Sequence, residues 1–162
     1  TKAWGFFTNS TAGNKNSFAA YLGNRNYNIQ FYETEPRISY QPNTAFRTSV
    51  GYKRSEKKNA KEYGNQKASI DDILVELKYN KLSKGSFVLR ADYLRISYND
   101  VLNSPIAFEM LNSLKPGDNF TWNLNYQQNL SAYLQISFNY EGRKSPGNRI
   151  IHIGGAQVRA FF

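Results

Sequence analysis

The chain has 162 residues, enough for one domain with a core, and 40% of them are apolar at a mean hydropathy of −0.64. No stretch approaches the roughly 20 consecutive apolar residues of a spanning helix, so a helical membrane protein is excluded. Cysteine is absent, which removes disulfides and thiolate metal sites; of the 21 basic residues, set against 12 acidic, six sit in one polar stretch and the others are scattered through strand patterns, so nucleic acid is not an expected partner.

Aromatic residues carry much of the apolar fraction, with 12 Tyr, 11 Phe and 2 Trp set among many Asn, Ser and Gln. That mixture suits strands with one face in lipid and the other towards a polar interior. The informative signal is therefore alternation with period two.

A first strand is expected at about Ala3 to Ser10. Residues 32 to 40 set Tyr32, Thr34, Pro36, Ile38 and Tyr40 against Glu33, Glu35, Arg37 and Ser39, although Pro36 removes a ladder donor. Residues 46 to 53 set Phe46, Thr48, Val50 and Tyr52 against Arg47, Ser49, Gly51 and Lys53. The basic stretch follows (Lys53, Arg54, Lys57, Lys58, Lys61, Lys67), and from 54 to 68 it reads as an external loop.

Residues 73 to 79 set Ile73, Val75, Leu77 and Tyr79 against Leu74, Glu76 and Lys78. Residues 87 to 93 set Phe87, Leu89, Ala91 and Tyr93 against Val88, Arg90 and Asp92, after which the parity flips to Leu94, Ile96 and Tyr98; a bulge near Tyr93 or Leu94 is the simplest reading. In the next connection, Ser104-Pro105, then Ile106, Met110, Leu111 and Leu114, then Lys115-Pro116-Gly117, predict a short amphipathic helix over a barrel mouth or against headgroups.

Alternation is unbroken in residues 119 to 127, where Phe120, Trp122, Leu124 and Tyr126 oppose Asn119, Thr121, Asn123, Asn125 and Gln127. It continues in 130 to 141, where Leu130, Ala132, Leu134, Ile136, Phe138 and Tyr140 oppose Ser131, Tyr133, Gln135, Ser137, Asn139 and Glu141, with a tight hairpin near Gln128 and Asn129. A last strand runs from about Ile150 to Phe162. Longer and shorter connections alternate, as in outer-membrane barrels. The expectation is an all-β, antiparallel, up-and-down transmembrane barrel of eight strands over residues 1–162, with one short helix in an external loop. A chain opening at Thr1 without Met or a signal peptide is expected to be a processed form or the C-terminal part of a longer protein.

The run Ser104-Pro105-Ile106, Leu114-Lys115-Pro116-Gly117-Asp118-Asn119, Tyr140-Glu141-Gly142-Arg143-Lys144 and the ending Gln157-Val158-Arg159-Ala160-Phe161-Phe162 resembles the C-terminal barrel region of large outer-membrane proteins from Bacteroidota. The alternation of Val158, Ala160 and Phe162 in the last strand is similar to the signal read by the barrel-assembly machinery, with Ala160 where a larger apolar residue is common. The resemblance implies a Gram-negative outer membrane as the location. It also implies envelope proteins as partners.

If the aromatic faces meet lipid, the opposite faces gather Glu33, Glu35, Glu76, Asp92 and Glu141 with Arg37, Arg47, Lys53, Lys78, Arg90 and Arg159. In an eight-stranded barrel such groups fill the lumen and pair with one another rather than line a channel. Phe120, Trp122, Leu124, Tyr126, Leu134, Ile136, Phe138 and Tyr140 are the expected lipid-facing and girdle residues, and Tyr21, Tyr40, Tyr79 and Tyr98 are further girdle candidates. Lysines 57, 58 and 61 offer charge to lipopolysaccharide phosphates, so outer-membrane lipids and lipopolysaccharide are expected partners.

His152 is the one histidine, on the lipid-facing parity of Val158 and without an acid nearby in sequence, so catalysis is not expected. Neither cofactor nor metal is expected. The function expected is a noncatalytic anchor or scaffold for upstream domains or partner subunits; the alternative is the C-terminal strands of a larger transporter or secretion pore.

Overall fold

A computed structural model describes residues 2–17, 27–81 and 84–161. It consists of eight strands: β1 Ala3–Ser17, β2 Tyr27–Gln41, β3 Phe46–Asn59, β4 Lys67–Lys81, β5 Gly85–Tyr98, β6 Gly117–Asn129, β7 Leu134–Lys144 and β8 Ile151–Ala160. All are antiparallel to their chain neighbours and form one sheet in the order β1 to β8. A six-residue helix, α1 Pro105–Met110, lies in the β5–β6 connection, and a 3-10 turn, Lys61–Tyr63, in the β3–β4 connection. Short links, 42–45, 82–84 and 130–133, fall at one end of the sheet, and longer ones, 60–66, 99–116 and 145–150, at the other.

Period-two alternation makes the two faces chemically different, and the register carries each face unbroken across the sheet. One apolar row runs Phe6, Ile38, Val50, Val75, Ala91, Trp122, and on to Gly142 and His152. The opposite face is polar and, over β2 to β5, the more buried, with Ser39, Ser49, Ser55, Asp72, Leu74 and Asp92 all enclosed. Among the described residues α1 and its loop alone lie on that face, so this enclosure comes from the sheet curling towards it. The result is a trough, polar inside and apolar outside.

Ser104 caps α1 by accepting the Ala107 N–H at 3.2 Å, and Pro105 occupies the first turn, where its missing N–H costs nothing. Ala107, Met110 and Leu111 bury against Ile29, Ala68, Ile70 and Ile96 at the long-loop end of the trough. Lys15 and Glu109 pair at 2.8 Å, and Lys57 Nζ donates to Asn112 Oδ1 at 2.9 Å. The loop from β5 therefore crosses the trough to reach β1 and β3.

Several expectations need correction. The sheet is open: β1 pairs only with β2 and β8 only with β7 among the described residues, so the closed eight-stranded barrel is not formed. Every residue of β8 is exposed on both faces. The polar faces of β7 and β8 offer Ser137, Asn139, Gly155 and Gln157, which supply neither the ion pairs nor the apolar contacts that draw β2 to β5 together.

The expected bulge in β5 is absent, since β4 and β5 pair continuously from Ala68↔Tyr98 to Lys81↔Gly85. Leu94, Ile96 and Tyr98 instead point into the trough, where α1 supplies apolar cover. Tyr98, an expected girdle candidate, is thus not on the apolar outer face. The expected 54–68 loop shrinks to residues 60–66, because β3 continues to Asn59 and β4 starts at Lys67. Polar strand ends beyond an apolar belt lack the alternation that identifies strands. The β6–β7 hairpin turns at 130–133 rather than near Gln128 and Asn129, and there the Leu130 and Ser131 N–H groups donate to the Leu134 carbonyl at 2.8 and 3.2 Å. Pro36 stays within β2, at the cost of two missing bridges between Thr34↔Arg54 and Arg37↔Gly51. Tyr21 and Phe162 lie outside the described residues.

Candidate functional site: a two-faced wall

The polar face brings all eleven charge-network residues to one side of the sheet. Arg37 pairs with Glu35 at 2.6 Å and reaches Glu76 at 3.9 Å, and Glu76 holds Lys78 at 3.0 Å. Lys53 pairs with Glu33 at 2.9 Å, and Ser55 Oγ donates to the same carboxylate at 2.9 Å. Arg90 and Asp92 pair at 2.9 Å. Arg47, Glu141 and Arg159 share the face without an ion pair among the described residues.

These contacts follow from spacing. Residues i and i+2 of one strand share a face, so Glu35 with Arg37, Glu76 with Lys78 and Arg90 with Asp92 meet along a strand, while Lys53 with Glu33 meet between neighbouring strands. Asp72 and Lys57 belong to the same face and were missed by sequence reading. Asp72 follows the acidic Asp71 at the margin of the alternating segment, and Lys57 fell in the presumed loop. Alternation continued back from Leu74 identifies Asp72.

The apolar face is exposed along much of β1 to β4 and β8 and half-buried in the middle of β5 and β6. Trp4, Phe6, Ile38, Val50, Ile73, Phe138 and Val158 are each more than two-fifths accessible. The eight lipid-facing residues expected from β6 and β7 all point to this side, as do Tyr40, Tyr79, Val158 and Ala160. A row of Tyr52, Ile73, Tyr93 and Phe120 borders the belt on its long-loop side, and the next row is Arg54, Asp71, Arg95 and Asp118. Tyr52 Oη donates to Asp71, and Tyr93 Oη donates to Asp118 at 2.9 Å, so both phenols tip away from the belt into the charged row. Arg95 and Asp118 pair at 3.0 Å, and Arg54 lies 3.7 Å from Asp71.

His152 sits on this apolar face. Its Nδ1 is 2.7 Å from Tyr140 Oη, and its ring stands edge-on to Trp122 with centroids 5.9 Å apart. Trp122 lies over Gly142, where an added Cβ would fall 2.1 Å from the indole. The imidazole is held by aromatic neighbours, while a general base needs an orienting carboxylate and a nucleophile within reach.

No helix is long and apolar enough to cross a membrane, and no metal-binding cluster occurs among the described residues. Compared with known protein families, curated proteins and solved structures, the chain has no match.

Proposed function

We propose that the chain is a membrane-spanning wall of the bacterial outer membrane with a structural, noncatalytic role. The supporting observation is the inverted arrangement of the sheet over β2 to β5: the more exposed face is apolar and the enclosed face is charged. Exposed apolar patches beyond a few hundred Å² mark surfaces that another phase or partner covers. The apolar-face residues of β4 from Ile73 to Tyr79 span about 20 Å at roughly 3.3 Å per residue, and the charged Asp71 and Lys81 that flank them lie about 33 Å apart, which a strand tilt of about 40° reduces to near the ~25 Å of an outer-membrane apolar band. The tyrosines beside the charged row occupy the position of an interfacial girdle.

The outer edges of β1 and β8, open among the described residues, favour one version of this role, an arc of a larger transporter or secretion pore whose remaining strands come from elsewhere. The other version, an eight-stranded anchor for envelope partners, requires β1 to pair with β8. The test is refolding into detergent micelles and phospholipid vesicles, read by heat-dependent mobility on gels and by quenching of Trp122 with brominated lipid. Detergent-dependent folding with quenching is expected. A monomer folded in plain buffer with its aromatic rings shielded would overturn the proposal.

A further inference from the structure

Lys58 on β3 and Lys67 on β4 are directly opposed across the ladder, both exposed on the apolar-face side of the sheet. Neither ammonium group has an ion pair among the described residues. Like charges opposed in a sheet repel and weaken pairing, and an anion between them reverses the sign of that interaction. Of the lysines expected to meet phosphates, 57, 58 and 61, only Lys58 belongs to this pair; Lys57 turns the other way, into the trough and onto Asn112.

The pair lines an open pocket of about 570 Å³ together with Gln30, Ser69 and Ser97. The carboxylate nearest in this pocket, Glu56, is held by Arg54 at 2.8 Å, which leaves the two lysines as the uncommitted charge. Each stands four residues beyond the charged row of Arg54 and Asp71, about 13 Å further along its strand. On the membrane reading above, on which this inference rests, that height lies at the headgroup layer, within reach of a long flexible side chain.

We propose that Lys58 and Lys67 form a binding site for the phosphorylated sugar headgroup of an outer-leaflet glycolipid. The two ammonium groups take the phosphate. Gln30, Ser69 and Ser97 offer hydrogen-bond donors and acceptors that match sugar hydroxyls, which distinguishes such a headgroup from a simple anionic phospholipid.

The test uses the whole chain folded in micelles and titrated with phosphorylated lipid A, with the same lipid after phosphatase treatment, and with phosphatidylglycerol, bound lipid being counted by native mass spectrometry. Phosphorylated lipid A is expected to bind best, and K58Q/K67Q to bind it at least about tenfold more weakly, with each single variant between. K81Q/K84Q, at the short-turn end of the sheet, should bind as the parent does. Equal binding of the dephosphorylated lipid or of phosphatidylglycerol would overturn the assignment, as would a double variant that binds like the parent. Failure of the membrane reading is seen separately, as a parent chain that folds as a monomer without detergent before any lipid is added.

Discussion

Arg37 on β2 and Glu76 on β4 stand 3.9 Å apart although β3 runs between their strands. Adjacent strands are spaced about 4.8 Å, so second neighbours in a flat sheet lie near 10 Å; long side chains and curling of the sheet towards its polar face close the gap. Because Glu76 also holds Lys78, one largely enclosed carboxylate serves two cations. Glu76→Ala is expected to cost about 1–3 kcal/mol, chiefly because Lys78 loses its carboxylate while Arg37 keeps Glu35, and Glu76→Gln less, since it keeps a hydrogen-bond acceptor. Urea titration of the micelle-folded chain measures both; equal stability of parent and Glu76→Ala would mean the network is screened.

Trp122 lies over Gly142 on the apolar face and fills the space a Cβ would take there. A methyl group at position 142 meets the indole, which must leave its place against His152. Gly142→Ala is expected to destabilise the β6–β7 hairpin by about 1–3 kcal/mol. Trp122 emission, recorded in a Trp4→Phe background, should shift in the variant; an unchanged spectrum and midpoint would show that the ring relocates freely.

Met110 is fully buried under the loop that crosses the trough. Met110→Ala is expected to cost about 2–5 kcal/mol locally. The loss falls on contacts with Ile29, Ile70 and Ile96, so the 99–116 segment should become susceptible to protease before the strands do. Limited proteolysis with mass mapping of the first cut checks this, and a first cut elsewhere would place the weak point outside the loop.

The faces of the sheet were legible because one is apolar and the other polar, which imposes period two, and Phe120 to Gln127 separates without exception. What escaped was set by contacts distant in sequence. Leu94, Ile96 and Tyr98 broke the pattern because α1 covers them, a relationship invisible from β5 alone. Thr11 to Ser17 and Arg54 to Asn59 looked like loop because strand beyond the belt has no apolar face to alternate with. Closure depends on whether β1 and β8 find each other, and no local pattern encodes that.

Val75 lies mid-belt on the apolar face, in one row with Val50 and Ala91, and Asn139 lies on the polar face of β7. An arginine at mid-depth on a lipid-facing position costs about 2–4 kcal/mol, whereas one facing a lumen is tolerated. Val75→Arg should therefore lower the yield of vesicle-inserted chain and shift its unfolding midpoint, while Asn139→Arg leaves both close to the parent. The contrast isolates the solvent each face meets, because both variants add the same charge and comparable bulk to exposed strand positions. If the two variants insert and unfold alike, the apolar face is covered by something other than lipid, and a protein partner with its own apolar sheet becomes the occupant to seek.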